Sequence, residues 1–342
     1  MKKLLSLILV LAILVLSGCG SKDTVSKDKG DKTKTDVAKV EEPKDPFLKM
    51  MSTNDRPLAV MIDNDGPSSR PQCGLENAYM VYEIIVEGGA TRMMAIFKNP
   101  SEIEKVGPIR SSRHYFLDYA VEHDAIYTHA GWSPKAGQDM KLLGVNNING
   151  IQGNDGVHFY RDNTYDNTWH NLYTDIWRVL EYADVCRHYE RTTETKHLPY
   201  NEKDTALKGE AADATEISLP YSTMYTVNYK YDAEKKMYTR YIGQKEHMLQ
   251  NGEPISAKNI IVYQVRNFNL PDTENKGRQD LETVGNGTGY YITNGKAVEI
   301  TWSKSDRKAQ TEYKLADGTE LKLNPGNTYV QILPVTSQIT VN

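Results

Sequence analysis

Val106-Gly107-Pro108-Ile109-Arg110-Ser111-Ser112-Arg113-His114-Tyr115 is the stretch on which the reading of the fold turns. Glycine followed by proline marks a tight turn. A helix start comes next, with Ser111 or Ser112 as N-cap and Phe116, Leu117, Ala120 and Val121 as its apolar face. Residues 57–63 form an apolar run closed by Asp63, Asn64, Asp65, Gly66 and Pro67, the pattern of a strand buried on both faces. Residues 78–86 and 91–97 read as two more strands, joined as a hairpin through Gly88-Gly89. After the helix come a strand at 125–129 and a second helix at 134–143, with Ser133 as cap and Pro134 at its first position. A short strand at 158–160 precedes a third helix, capped by Thr174, whose inward face is Ile176, Val179, Leu180 and Ala183. Strands and helices alternating after a hairpin predict an α/β domain, a mixed sheet with covering helices, over residues 47–200.

Residues 201–222 are polar and alanine-rich and read as a connector. From residue 223 the pattern changes: Tyr225, Val227, Tyr229 and Tyr231 alternate with polar residues, and Asn294-Gly295 and Asp317-Gly318 are hairpin turns. A small antiparallel all-β C-terminal domain is predicted for residues 223–342. The chain holds 22 tyrosines against five phenylalanines, which suits strand surfaces that are half apolar and half wet. With 39% hydrophobic and 25% charged residues the composition is that of a globular protein, and a formal charge of −4 lacks the basic bias of a nucleic-acid binder.

The N-terminus carries a different message. Lys2 and Lys3 precede an apolar run over residues 4–16, broken only by Ser6, that is too short for a span of about 20 residues. It ends in Leu16-Ser17-Gly18-Cys19, which resembles the bacterial lipobox: residues 1–18 as signal peptide and Cys19 as the lipidated (palmitate-bearing) first residue of the mature chain. Residues 19–46 follow as a tether. Positions 20–46 hold seven lysines and seven acidic residues and too little apolar surface to order themselves. The expected location is the extracytoplasmic face of the cell membrane, reached through the lipid on Cys19. Cys73 and Cys186 remain, and spacing alone does not decide whether they pair.

Polar clusters in the first domain fall just after strands, where ligands bind in open α/β sheets. Arg110 and Arg113 beside a helix start, with the hydroxyls of Ser111 and Ser112, describe a site for a phosphate or carboxylate; Arg92 and Asn64 extend it. The alternative for the arginines is pairing with internal carboxylates, and Glu83 or Glu87 is a candidate partner for Arg92 across the hairpin. A second chemistry is metal-assisted hydrolysis or transfer on envelope polymers or phosphorylated lipid carriers, with Asp63, Glu83, His129 and His170 as ligands or bases. Those histidines lack a local metal-binding spacing, and no cofactor is expected outside that alternative, where it is a divalent metal. Nucleophilic catalysis by Ser133 lacks a Gly-x-Ser-x-Gly elbow, and a serine before Pro134 is more simply a cap.

These residues resemble a known family. Met61-Ile62-Asp63-Asn64, Arg70-Pro71-Gln72-Cys73-Gly74-Leu75, Val81-Tyr82-Glu83, Val86-Glu87-Gly88-Gly89-Ala90-Thr91-Arg92 and Gly107-Pro108-Ile109-Arg110-Ser111-Ser112-Arg113 are similar to the YerB-type lipoproteins. His129-Ala130-Gly131-Trp132-Ser133 and His170-Asn171-Leu172-Tyr173 fit the same pattern. So do Gly295, Thr301-Trp302-Ser303, Asp317-Gly318 and Leu323-Asn324-Pro325-Gly326 in the C-terminal module. The likeness spans most of residues 56–336. Cys73, Trp169 and Gln310 depart from it, standing where a small residue, a proline and a proline are expected. The resemblance implies a secreted lipoprotein of Gram-positive type at the membrane–wall boundary, with two domains of unknown function, and supplies no reaction. The expectation is a tethered envelope protein that binds an anionic ligand, a cell-wall protein partner, or both.

Overall fold

The apolar run after Pro57 folds as β1 (Leu58–Asn64), every residue of which is buried. Such a strand needs cover on both faces, and the rest of the fold supplies it. β1 pairs antiparallel with β3 (Thr91–Phe97), which pairs antiparallel with β2 (Met80–Ile85). On its other edge β1 pairs parallel with β4 (Ile126–His129), and β4 with β5 (Asn147–Asn149). The computed structural model describes residues 43–100, 103–207, 211–271 and 274–342, so the leader, Cys19 and nearly all of the tether lie outside the described residues.

The N-terminal domain is thus a mixed sheet with few helices, followed by C-terminal sheets that are mainly antiparallel. Helices α1 (Pro46–Met51), α2 (His114–Glu122), α3 (Pro134–Leu143) and α4 (Ile176–Val185) accompany it, as does the short antiparallel pair β6 (Phe159–Arg161) and β7 (Leu172–Thr174). The sheet does not stop at the domain boundary. The strand Thr328–Pro334 pairs parallel with β2 on one side and with the strand Asn259–Val265 on the other. The strands Gly285–Thr293, Lys296–Lys304 and Glu312–Leu315 then extend it, giving an 11-stranded sheet. A second antiparallel sheet contains the strands Glu216–Pro220, Thr226–Asp232 and Met237–Ile242.

Local chemistry explains several boundaries. Ser133 caps α3, its hydroxyl accepting the Ala136 N–H at 3.3 Å. Asn294 and Gly295 both take positive φ in a two-residue hairpin closed by the Thr293–Lys296 pair. Three expectations need correction. α2 begins at His114 with Arg113 as N-cap and no side-chain cap, because the Ser112 hydroxyl accepts from Tyr127 Oη at 2.8 Å. The third helix, α4, follows Asp175, since Thr174 donates to the His158 carbonyl instead. The stretch read as a connector includes the strand Glu216–Pro220, whose Ile217 and Leu219 are buried; five residues are too few for the alternation to stand out in a polar context. The tyrosines are also drier than expected: Tyr82, Tyr119, Tyr229, Tyr238 and Tyr263 are among many that are fully buried between layers. Both Cys73 (buried) and Cys186 (exposed) are free thiols.

Side-chain alternation divides the central sheet into two chemically distinct faces. On one, Tyr82 stacks on Tyr119 of α2 at 4.8 Å between ring centroids and donates to Glu122 at 2.7 Å. On the other, Glu83 meets Arg240 of the second sheet, with Nη2 2.8 Å from each carboxylate oxygen and neither side chain exposed. Asn64, Thr91 and Tyr225 all donate to Glu83 Oε1, and His247 contacts the Arg240 guanidinium. Further pairs tie α2 to C-terminal residues: Lys304 to Glu122 at 2.6 Å and Arg307 to Asp118 at 2.7 Å.

A buried charge stripped of its partner is costly. Arg240→Ala is expected to lose about 3–5 kcal/mol in urea unfolding, whereas the double replacement Glu83→Met with Arg240→Met should lose much less. Equal, small losses below about 1 kcal/mol in both would mean that the pair does not hold the layers together.

Candidate functional site

Residues 107–112 are stitched between three other segments by their own backbone. Asp63 N–H donates to the Pro108 carbonyl at 2.8 Å, Ile109 N–H to Leu172 at 2.7 Å and Arg110 N–H to Met61 at 3.0 Å. Ala130 N–H donates to Arg110 at 3.0 Å and Ser112 N–H to Gly131 at 2.9 Å. Gly107, at φ 149°, is required: a Cβ there would come within 2.7 Å of the Tyr173 ring and 2.9 Å of the Leu172 carbonyl. This threading brings the ends of β1 and β4 and the start of β7 to one place, gathering Asp63, Arg92, Arg110, Ser111, Arg113 and His170.

The charges of this cluster do not balance. Asp63, fully buried, contacts His170 Nδ1 at 2.7 Å. Arg110 Nε lies 3.1 Å from the same oxygen, off the direction of a hydrogen bond. Burial would raise the Asp63 carboxyl, but the His170 hydrogen bond and the charges of Arg110 and Arg92 outweigh it and hold it below the usual carboxylate range. Arg113 forks onto Glu87 at 2.6 and 2.8 Å, and keeps that carboxyl low against the opposing effect of burial. Arg92 lies opposite Asp63 in the β1–β3 register. It is 5% exposed and donates through Nη1 to the Ser111 carbonyl at 2.6 Å, while its Nε has no hydrogen-bond partner. Burial, then the neighbouring Arg113, push its guanidinium down to about 10. Three guanidinium groups and His170 therefore share the carboxylates of Asp63 and Glu87, with Asp166, which accepts the His170 backbone N–H at 3.1 Å, acting on His170 from outside.

The other sequence candidates fall elsewhere. Asn64 and Glu83 project from the opposite face, into the Arg240 network. Glu87 is not in a strand; it lies in the turn Glu87–Gly89, where its partner is Arg113 rather than Arg92. The Ser112 hydroxyl is occupied by Tyr127. His129 is engaged by its own loop and by β5, its ring nitrogens 2.8 Å from the Gly131 carbonyl and 3.2 Å from Asn147 Oδ1, and burial lowers its pKa. Of the four residues considered for acid–base or metal chemistry, Asp63 and His170 meet, while Glu83 and His129 are engaged apart from them. Among the described residues no group of three or more His, Cys, Asp or Glu side chains is arranged to hold a metal ion. Cavities of about 560 and 330 Å3 occur in the fold, lined by neither Asp63 nor the three arginines. Sequence reasoning missed Arg240. Its signal was parity, since it shares the buried side of its strand with Tyr238.

The Asp63 hydrogen bond raises the His170 pKa above its ordinary 6.5. Protonated His170 thus contributes stability that is complete below about pH 6.5 and fades as pH climbs through the folded-state value. An NMR titration should place the His170 midpoint above 6.5 and see it fall in Asp63→Asn; a wild-type midpoint at or below 6.5 would contradict the pairing.

Residues 48–189 match the family described as "Protein of unknown function (DUF3048) N-terminal domain", and residues 217–330 match its C-terminal domain. The chain is 30% identical over 286 residues to "Putative lipoprotein YerB" of Bacillus subtilis (strain 168), covering 82% of each chain. A crystal structure of the YerB protein from Bacillus subtilis superposes with a TM-score of 0.72 at 28% identity, over 85% of this chain and 95% of that one. Among the described residues no helix is long and apolar enough to cross a membrane. With both domain matches in order and a relative 30% identical over 82% of each chain, the chain belongs to the DUF3048 family.

Proposed function

We propose that this protein is a lipid-anchored protein of the cell envelope whose folded body binds an anionic group, a phosphate or carboxylate, at Arg92, Arg110 and Arg113. The anchor rests on the lipobox-like sequence ending at Cys19 and on the name of its relative. The observation that carries the ligand is the buried guanidinium of Arg92, with an unpartnered Nε and two nearby carboxylates committed to His170, Arg110 and Arg113. A desolvated cation without its own anion is costly, and a guest of opposite charge offsets that cost. Arg110 and Arg113, with 23% and 12% of their side chains exposed, connect the buried group to solvent.

Arg92 separates this reading from internal pairing. In Arg92→Met, Asp63 keeps His170 and Arg110, and Glu87 keeps Arg113, so the melting temperature should be unchanged or higher. Calorimetry with inorganic phosphate should show at least a tenfold loss of affinity, and phosphate should no longer raise the melting temperature. A large loss of stability with phosphate binding unaffected would assign Arg92 to the protein's own ion pairs.

A further inference from the structure

A cavity of about 330 Å3 lies where residues 67–71 meet residues 242–249, on the side of the central sheet that faces the second sheet. Its size is in the range of small-molecule sites. Most of its wall is apolar, supplied by Pro71, Ile242, Met248 and Leu249. Lys245, Glu246, His247 and Arg70 supply the polar part; His247 is committed to Arg240 and Gln72, which leaves Arg70. Its Nε donates to Asn64 Oδ1 at 3.2 Å and its Nη2 to the Asn64 carbonyl at 3.1 Å, and its guanidinium sits 5.8 Å from the centre of the Tyr225 ring. All of these partners are neutral. Among the described residues no carboxylate lies within ion-pair distance of Arg70; Glu83, whose field reaches it, is already bound through both oxygens by Arg240. Burial, and then the nearby Arg240, disfavour the charge on Arg70, yet an arginine stays protonated in such surroundings. At the rim, Lys245 and Glu246 offset one another formally. The hole is therefore greasy and carries one uncompensated positive charge.

We propose that this cavity is a binding site for a small monocarboxylate with an apolar body, its carboxylate held by Arg70 and its hydrocarbon against Ile242, Met248 and Leu249. A guanidinium donates two parallel hydrogen bonds to a carboxylate, so the head group is fixed in orientation as well as neutralised. The tail gains the burial that a bare anion lacks, which distinguishes this site from one for phosphate. The site is independent of the guanidinium cluster at Arg92: the two lie on opposite faces of the sheet and share no side chain.

Sodium octanoate tests it, titrated into the full chain by calorimetry and followed by NMR of methyl-labelled methionine. The wild type should bind one octanoate with a saturable shift of the Met248 methyl, while octylammonium chloride and inorganic phosphate leave that methyl unmoved. Arg70→Met should weaken octanoate at least tenfold and Arg70→Lys less. Met248→Glu, which leaves the Asn64 contacts alone, should also weaken it at least tenfold and covers the case in which Arg70→Met fails to fold. Absence of a Met248 shift in the wild type, octylammonium binding as tightly as octanoate, or folded Arg70 and Met248 variants within twofold of wild type would each overturn the assignment.

Discussion

The contact on which the architecture depends is the ion pair between Glu83 and Arg240. Both side chains are wholly buried, and the bond joins residues 157 positions apart. Glu83 stands in β2, the strand that also receives the C-terminal strand Thr328–Pro334, so the pair sits at the junction of the two family domains. Asn64, Thr91 and Tyr225 donate to the same carboxylate, and His247 contacts the guanidinium, giving a network drawn from both domains. A buried network of this kind is worth little unless nearly every member is satisfied. That condition fixes how the second sheet lies on the first.

The same alternation that turns Glu83 toward the second sheet turns Asp63 and Arg92 the other way. There the chemistry is different. Residues 107–112 are inserted between the ends of β1 and β4 by backbone hydrogen bonds, which leaves their side chains crowded at one spot. Arg113 serves as N-cap of α2 with no side-chain acceptor in place, an arrangement that puts cations against the positive end of a helix. Glu87 and Asp63 relieve part of this and Arg92 adds to it. On the face toward the second sheet Glu83 and Arg240 neutralise one another, with Arg70 left over beside them; on the other, the Arg92 cluster retains an excess of positive charge under partial cover.

How much of this was legible varied with distance along the chain. Short-range chemistry read well: the apolar run at β1, the Ser133 cap and the Asn294-Gly295 hairpin each carry their cause within a few residues. The cap of α2 did not, because Ser112 is held by Tyr127, a partner from another strand. Arg110 and Asp63 were both candidates, and the loops after β1 and β4 do converge, yet Glu83 and Asn64 project from the opposite face. Parity within β1 separates Asn64 from Asp63; the place of Glu83 depends on the register of β2 against β3 and on the arrival of Arg240. Tyrosine content suggested wet strand surfaces, whereas stacked layers on both sides of the sheet make most of those rings interior.

Arg92 is a buried cation held by a backbone carbonyl, with no committed counter-ion. A crystal structure of the protein grown with inorganic phosphate tests this most directly. An anion is expected within hydrogen-bond reach of the Arg92 guanidinium and flanked by Arg110. Well-ordered density showing Arg92 fully bonded by Asp63, Glu87 and backbone carbonyls, with no anion beside it, would contradict it.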